Sequence, residues 1–87
     1  MIQVLIPSQL TSYTGGATRV EAAGGTVSAV LDDLDRQFPG LKFRVIDEQD
    51  RVRKHMRVFL GQDRVADIAL PVRSGQEVLI FGALSGG

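Results

Sequence analysis

The chain has 87 residues, ten basic and ten acidic side chains, one histidine and no cysteine. This length fits one domain with a modest core; the composition excludes disulfides, a thiolate nucleophile and iron–sulfur ligation, and one histidine cannot complete an ordinary zinc site. Because the formal net charge is zero, neither nucleic acid nor a membrane surface is expected as a partner.

The N-terminal part of the chain predicts two strands. Residues 2–6 alternate between two faces, and Pro7, which cannot donate a ladder hydrogen bond, ends the first strand. This apolar run is too short for a signal peptide and no basic residue precedes it, so we expect a cytoplasmic protein. A loop with Leu10 and Tyr13 on one side of a helical turn leads to a second strand over residues 17–22, which suits an edge.

A helix follows and is the clearest element of the sequence. Thr26 is placed to cap it and Pro39-Gly40 to end it. Its apolar stripe consists of Val27, Val30, Leu31, Leu34 and Phe38. Three acidic residues, Asp32, Asp33 and Asp35, fall outside the stripe and are interpreted as a solvated face, with Asp32 placed to pair with Arg36.

The second half of the chain predicts shorter elements. Residues 41–55 are interpreted as a helical turn leading into an exposed charged loop, and residues 56–60 as a third strand that turns back toward Arg64-Val65. Leu70 is expected to anchor a connecting turn before the last strand, residues 77–83. The order predicts an α+β fold of the β-grasp, ubiquitin-like type, in which one main helix crosses one face of a mixed sheet of four to five strands. We expect a domain over residues 1–83 and a flexible tail over residues 84–87.

One face of this sheet is predicted to be apolar without a helix to cover it. Alternation places Leu5, Phe59, Leu79 and Phe81 together on the side away from the helix. Such a patch favours a protein partner. Two alternatives remain at this point: residues 41–46 fold over the patch, or the patch is a homodimer face.

The sequence offers few candidates for catalysis. The glycine pairs at 15–16 and 24–25 lack the spacing of phosphate-binding loops and are interpreted as turns. His55 is interpreted as a solvated loop residue, because a general base needs an orienting partner and a cleft. The basic residues Arg51, Arg53, Lys54 and Arg57 lack interleaved aromatic residues, which favours an acidic partner surface over nucleic acid.

The last residues, Ala83-Leu84-Ser85-Gly86-Gly87, give the strongest functional signal. Glycine adds no side chain to a core and loses the most backbone entropy when it is ordered. Two glycines that follow an apolar strand therefore indicate a purpose other than packing.

These residues resemble the ubiquitin-like sulfur carriers of the MoaD/ThiS family over essentially the whole chain. Residues 1–6 look like the first strand of the family, Gly25-Thr26-Val27 with Leu31 and Leu34 like its helix, and Ser74-Gly75-Gln76-Glu77-Val78 like the turn before its last strand. Gly86-Gly87 matches the family's ending. The stretches 53–60 and 81–87 look most like the cysteine-synthesis, CysO-type branch, although that branch usually has proline where this chain has Gly82.

The resemblance implies a carrier that is not itself an enzyme. An E1-like adenylyltransferase of the MoeB/ThiF type would use ATP and Mg²⁺ to adenylate the Gly87 carboxylate, and a sulfurtransferase or other sulfur source would convert it to a thiocarboxylate. A synthase would then accept the sulfur for cysteine, a cofactor or a sulfur-containing metabolite. The chain itself would bind no cofactor and no metal. The implied partner contacts are Leu5, Phe59, Leu79, Phe81, Ala83, Leu84 and Ser85, with Gly86 and Gly87 at the reacting end.

Two other functions remain open from the sequence. A ubiquitin-like modifier would be joined through Gly87 to a lysine of a target protein. A non-reactive β-grasp interaction module would carry the tail without using it.

Overall fold

The computed structural model describes residues 1–82, which form five strands and two helices. The strands are β1 (Ile2–Leu5), β2 (Arg19–Ala22), β3 (Met56–Leu60), β4 (Asp63–Arg64) and β5 (Glu77–Gly82), and the helices are α1 (Val27–Gln37) and α2 (Leu41–Val45). A single turn of 3-10 helix, Ser8–Leu10, lies between β1 and β2. The helical turn expected after Pro39-Gly40 is confirmed as α2.

The strands form one mixed sheet in the order β2-β1-β5-β3-β4. The pair β1 and β5 is parallel, and the other neighbouring pairs are antiparallel. The predicted α+β, β-grasp fold is therefore confirmed, with five strands and β2 at one edge. Strand β5 lies at the centre of the sheet: its residues 77–79 pair with β1, and its residues 78–82 pair with β3, which alone holds the end of the strand.

Helix α1 forms where its sequence predicts. The Thr26 hydroxyl accepts a hydrogen bond from the Ala29 N–H at 3.0 Å and satisfies one of the free donors of the first turn. The stripe residues Val27, Val30, Leu31 and Leu34 are fully buried and face the sheet residues of the core. Phe38 is partly buried against the same core.

The charge pairs around α1 differ from the prediction. Arg36 binds Asp33, three residues earlier, at 3.1 Å, so its expected pairing with Asp32 is wrong. Asp32 instead pairs with Lys42 of α2. The backbone N–H of Ala23, which donates to the Asp33 carboxylate at 2.9 Å, is the main cause that lowers the pKa of Asp33. These contacts link α1 to its neighbours in the fold.

Helix α2 packs on the α1 side of the sheet. Leu41, Val45 and Ile46 are buried in the same apolar core as α1. Gly40 begins this helix with φ of 94°, a left-handed conformation that glycine adopts without strain. Residues 41–46 therefore do not cover the open face of the sheet, and that alternative is excluded.

The segment between β4 and β5 lies over the N-terminus of α1. The carbonyl oxygens of Ile68 and Leu70 accept hydrogen bonds from the Ser28 and Val27 N–H groups at 2.7 Å and 3.0 Å. The side chain of Leu70 is exposed, so its expected role as an apolar anchor is wrong. Ile68 and Val72 are buried instead. Leu70 contributes its backbone carbonyl group, which accepts a hydrogen bond from the first turn of α1.

No helix within residues 1–82 is long and apolar enough to cross a membrane.

Candidate docking face beside the C-terminal tail

The open face of the sheet, turned away from α1, holds the predicted apolar patch. Leu79 of β5 pairs with Leu5 of β1 on one side and with Phe59 of β3 on the other. Phe81 lies two residues further along β5. Because paired residues and residues two apart share a face of a sheet, all four side chains lie together across three adjacent strands. We call these four residues the apolar patch; their role as a docking surface stays a prediction.

The two phenylalanines of the patch hold each other in place. Their ring centroids are 5.7 Å apart and the rings meet edge to face at 76°. Phe81 is 45% exposed, whereas Phe59 is half-buried. An exposed aromatic ring that is already ordered by a neighbour can bind a partner with little further loss of side-chain entropy.

Arginines surround the apolar patch. Arg19 of β2 pairs with Leu5, Arg64 of β4 pairs with Phe59, and Arg57 of β3 pairs with Phe81. These pairings place an arginine at each end of the patch and beside its exposed phenylalanine. Arg19 forms an exposed ion pair with Glu77 at 2.9 Å. The sequence reasoning missed this rim, although the alternation of each strand, combined with the register, would have found it.

The last described residue, Gly82, marks the base of the tail. It pairs with Met56 at the end of β5. A Cβ atom at Gly82 would overlap the carboxamide of Gln9, which lies against the backbone at this point. The glycine that stands here in place of the proline of the CysO-type pattern thus leaves room for the Gln9 side chain.

The predicted site residues Ala83, Leu84, Ser85, Gly86 and Gly87 lie outside the described residues. The expected boundary between a domain over residues 1–83 and a tail over residues 84–87 lies there as well. The structure therefore places four of the predicted site residues, the apolar patch. Two of them, Leu79 and Phe81, lie on β5, the strand that precedes the tail, and the other two lie on its neighbours β1 and β3.

Other candidate residues show no arrangement for catalysis in the described part of the chain. His55 is exposed beside β3. The Asp35 carboxylate accepts the backbone N–H groups of Gly40 and Lys42 at 3.1 Å and 3.2 Å, which is a structural role between the helices. Residues 1–82 contain no group of three or more His, Cys, Asp or Glu side chains that could hold a metal ion.

Comparison with protein families gives a match to the ThiS family model over residues 4–87. Among curated proteins, the chain is similar to the sulfur carrier protein CysO of Mycobacterium tuberculosis strain H37Rv, with 29% identity over 91 aligned residues. The alignment covers 99% of this chain and 98% of that protein.

Solved structures show the same similarity. The Amycolatopsis orientalis BexX/CysO complex contains a chain with a TM-score of 0.92 and 30% identity, covering 100% of both chains. Mycobacterium tuberculosis CysO gives a TM-score of 0.91 with 27% identity, over 97% of this chain and 100% of that one. SAMP1 of Haloferax volcanii gives a TM-score of 0.76 with 26% identity, over 99% of this chain and 98% of that one.

Proposed function

This chain belongs to the ThiS family, and on this premise we propose that it is a CysO-like sulfur carrier whose Gly87 carboxylate is converted to a thiocarboxylate. The observation that carries the proposal is the extent of the family match, which runs through both C-terminal glycines to residue 87. A similarity limited to the sheet and helix would indicate the fold alone. The chain would then serve as a substrate of other enzymes and not as a catalyst.

The proposed chemistry has two steps at the Gly87 carboxyl carbon. The carboxylate attacks the α-phosphorus of ATP on an E1-like adenylyltransferase of the MoeB/ThiF type with Mg²⁺, and pyrophosphate leaves. Hydrosulfide then attacks the carbonyl carbon of the acyl-adenylate, AMP leaves, and the product is the thiocarboxylate. A persulfide from a sulfurtransferase would give an acyl disulfide first, which a thiol reduces to the same product. Activation is needed because a carboxylate is a poor electrophile.

The two terminal glycines suit this chemistry. A partner's active-site channel can close around a backbone that carries no Cβ atom. Glycine also adopts the conformations that the reacting carboxyl group requires. Ala83, Leu84 and Ser85 would occupy the channel that leads to the active site of the adenylating enzyme or of the synthase that accepts the sulfur.

In this proposal the apolar patch holds the partner enzyme. It is a half-exposed apolar surface on β5, the strand that precedes the tail, and on the two strands beside it, and such surfaces mark interaction sites. The CysO of Amycolatopsis orientalis, to which this chain is similar, has been solved in a complex with BexX. That a relative of such similar fold forms a complex supports a docking role for this chain.

Intact mass spectrometry tests the proposal directly. We expect the full chain, incubated with ATP, Mg²⁺, a sulfide source and extract of its own cells, to gain the mass difference between sulfur and oxygen. Fragmentation should map the gain to Gly87. An unchanged mass in extracts that bind the protein would contradict the carrier function and favour a non-reactive interaction module, which also predicts full binding after Gly86 and Gly87 are removed.

A second function is favoured by the similarity to SAMP1, a small archaeal modifier protein. A modifier would be joined through Gly87 to target lysines after the same activation. Higher-mass adducts in cell extract that disappear when Gly87 is deleted would support it. The same mass spectra therefore separate the two functions. In a carrier one oxygen is replaced by sulfur, whereas a modifier increases in mass by that of the target protein to which it is joined.

Replacing Phe81 by alanine should weaken adenylation with little loss of stability. Truncating an aromatic anchor at an interface typically costs about 2 kcal/mol or more, which corresponds to roughly a 30-fold loss of partner affinity. Thermal stability should change little, because Phe81 is 45% exposed and the aromatic contact that it would lose, with the Phe59 ring, is worth about 0.5 to 1.5 kcal/mol.

Leu70→Ala is the matched control, because Leu70 is exposed to a similar extent, 38%, but lies in the segment over α1. We expect wild-type adenylation from this variant. Equal losses in both variants, or a collapse of stability in the Phe81 variant alone, would contradict the assignment of the docking face.

A further inference from the structure

A second surface lies beside the apolar patch and is not explained by the proposed chemistry. It is a pocket of about 370 Å³ at the outer side of β3, between the loop before that strand and the end of β4. Five cationic side chains line it: Arg51, Arg53, Lys54, Arg57 and Arg64. We call it the basic pocket. Half of the chain's ten basic residues meet here, although the chain as a whole is neutral.

Two of these arginines are fixed by hydrogen bonds to backbone carbonyl groups. Nη1 of Arg57 donates to the carbonyl oxygens of Lys54 and Met56 at 3.0 Å and 2.8 Å. Nε of Arg53 donates to the Phe43 carbonyl at 2.6 Å, and its guanidinium lies 4.3 Å from the centroid of the Phe43 ring. The remaining N–H groups of each guanidinium form no hydrogen bond with residues 1–82. A fixed fork of donors of this kind matches a carboxylate.

None of the five cations forms a direct ion pair with a carboxylate among the described residues. The ion pairs in residues 1–82 use Arg19, Arg36 and Lys42, all outside the basic pocket. The Asp47 carboxylate lies nearby and accepts the backbone N–H groups of Arg51 and Gln49, which chiefly lower its pKa. The charges of Arg51 and Arg53 lower that pKa further, so Asp47 offsets part of the positive charge at one side of the pocket and leaves Lys54, Arg57 and Arg64 without a counter-charge of this kind. Gathering like charges in one place costs stability through their mutual repulsion. An anion that binds in the pocket would relieve that repulsion.

The basic pocket continues directly from the apolar patch. Arg57 is the cross-strand neighbour of Phe81, and Arg64 is the cross-strand neighbour of Phe59. A molecule that covers the two phenylalanines therefore also lies beside two of the arginines that line the pocket.

We propose that the basic pocket binds an acidic segment, rich in Asp and Glu, of the protein that docks on the apolar patch. This inference rests on the proposed function only for the presence of a docking partner. The partner would present an apolar centre to Leu79 and Phe81 and carboxylates to Arg57, Arg64 and their neighbours. The charges would raise the association rate and fix the orientation in which the tail enters the partner.

A protein segment fits the pocket better than a nucleic acid does. Nucleic-acid sites are usually basic stripes on positively charged domains, with exposed aromatic side chains for stacking on bases. Here the net charge is zero and the cations surround one concave site. The Phe43 ring nearby is 55% exposed, but one of its faces is stacked against the Arg53 guanidinium.

The test uses the full chain and a short dye-labelled peptide of alternating glutamate and leucine. Fluorescence anisotropy at low salt should show binding, and amide NMR shifts should change in residues 51–57 and 64–66. The double variant Lys54→Glu with Arg64→Glu should weaken binding by about tenfold or more, since each exposed pair contributes a few-fold. Arg57→Lys, which keeps the charge but loses the fork, should weaken it by a few-fold.

The matched control is the double variant Arg44→Glu with Arg73→Glu, which makes the same charge change at exposed residues outside the pocket. We expect it to bind like the wild type. Equal weakening by both double variants, no binding by the wild type, or equal binding of a peptide with glutamine in place of glutamate would each overturn the proposal. Tighter binding of an oligonucleotide of equal charge would overturn it in favour of nucleic acid. None of these results depends on Gly87, so they are separate from the mass test of the carrier function.

Discussion

Deleting Gly87 should abolish thiocarboxylate formation while the fold stays intact. The variant still ends in a glycine carboxylate, but that group lies one residue nearer the sheet, a displacement of about 3.5 Å in an extended chain. A misplacement of 1 Å can cost a reaction about a hundredfold. We therefore expect at least a hundredfold slower gain of sulfur, measured by intact mass spectrometry under the conditions that convert the wild type.

The structure predicts that this loss is not caused by unfolding. The last described pairing of β5 joins Gly82 to Met56, and the buried core ends at Ile80. Removing residue 87 therefore changes no described contact, and the melting temperature should match that of the wild type. Gly87→Ala keeps the length and adds one Cβ atom, so it should react more slowly than the wild type and faster than the deletion. Conversion of the deletion variant at the wild-type rate would contradict Gly87 as the reacting residue.

The parts of the fold that depend on local periodicity could be predicted from the sequence. In β3 and β5 the alternation of apolar residues matches the observed alternation of buried and half-buried side chains. The helical spacing of Val27 to Leu34 matches the buried stripe of α1. The members of the apolar patch follow from these patterns, because fixing one face of each strand also fixes the other face; that they lie together follows from the β-grasp strand order.

The features that depend on contacts between distant segments could not be predicted in this way. The arginine rim requires the register of β2 and β4 against their neighbours, which alternation within one strand does not give. The partner of Arg36 depends on how Ala23 and α2 orient the aspartates of α1. The contact between Gln9 and Gly82 joins a loop to the last strand over more than seventy residues of sequence. The basic pocket appears only when Arg64 of β4 meets Arg57 of β3 and the loop before β3.

Replacing Leu34 by alanine should destabilise the domain more than any change on the open face. Leu34 is 0% exposed and lies in the stripe that α1 presents to the sheet. Truncating a buried leucine typically costs about 2 to 5 kcal/mol. The whole free energy of unfolding of a small domain is about 5 to 15 kcal/mol. The variant should therefore melt at least about 10 °C lower than the wild type. Thermal and denaturant unfolding followed by circular dichroism measure the change.

Leu34→Met and Leu79→Ala separate the loss of packing from other effects. Methionine conserves the volume of the side chain, so Leu34→Met should lower the free energy of unfolding by less than about 1.5 kcal/mol. Leu79 is half-buried on the open face, so Leu79→Ala should lose less stability than Leu34→Ala. Below its melting temperature, Leu34→Ala should gain sulfur at the wild-type rate, because Leu34 contacts neither the apolar patch nor the basic pocket. Leu79→Ala should show the opposite pattern, near-normal stability with slow conversion. If both variants lost stability and conversion in the same proportion, the division of the sheet into a structural face and a docking face would be wrong.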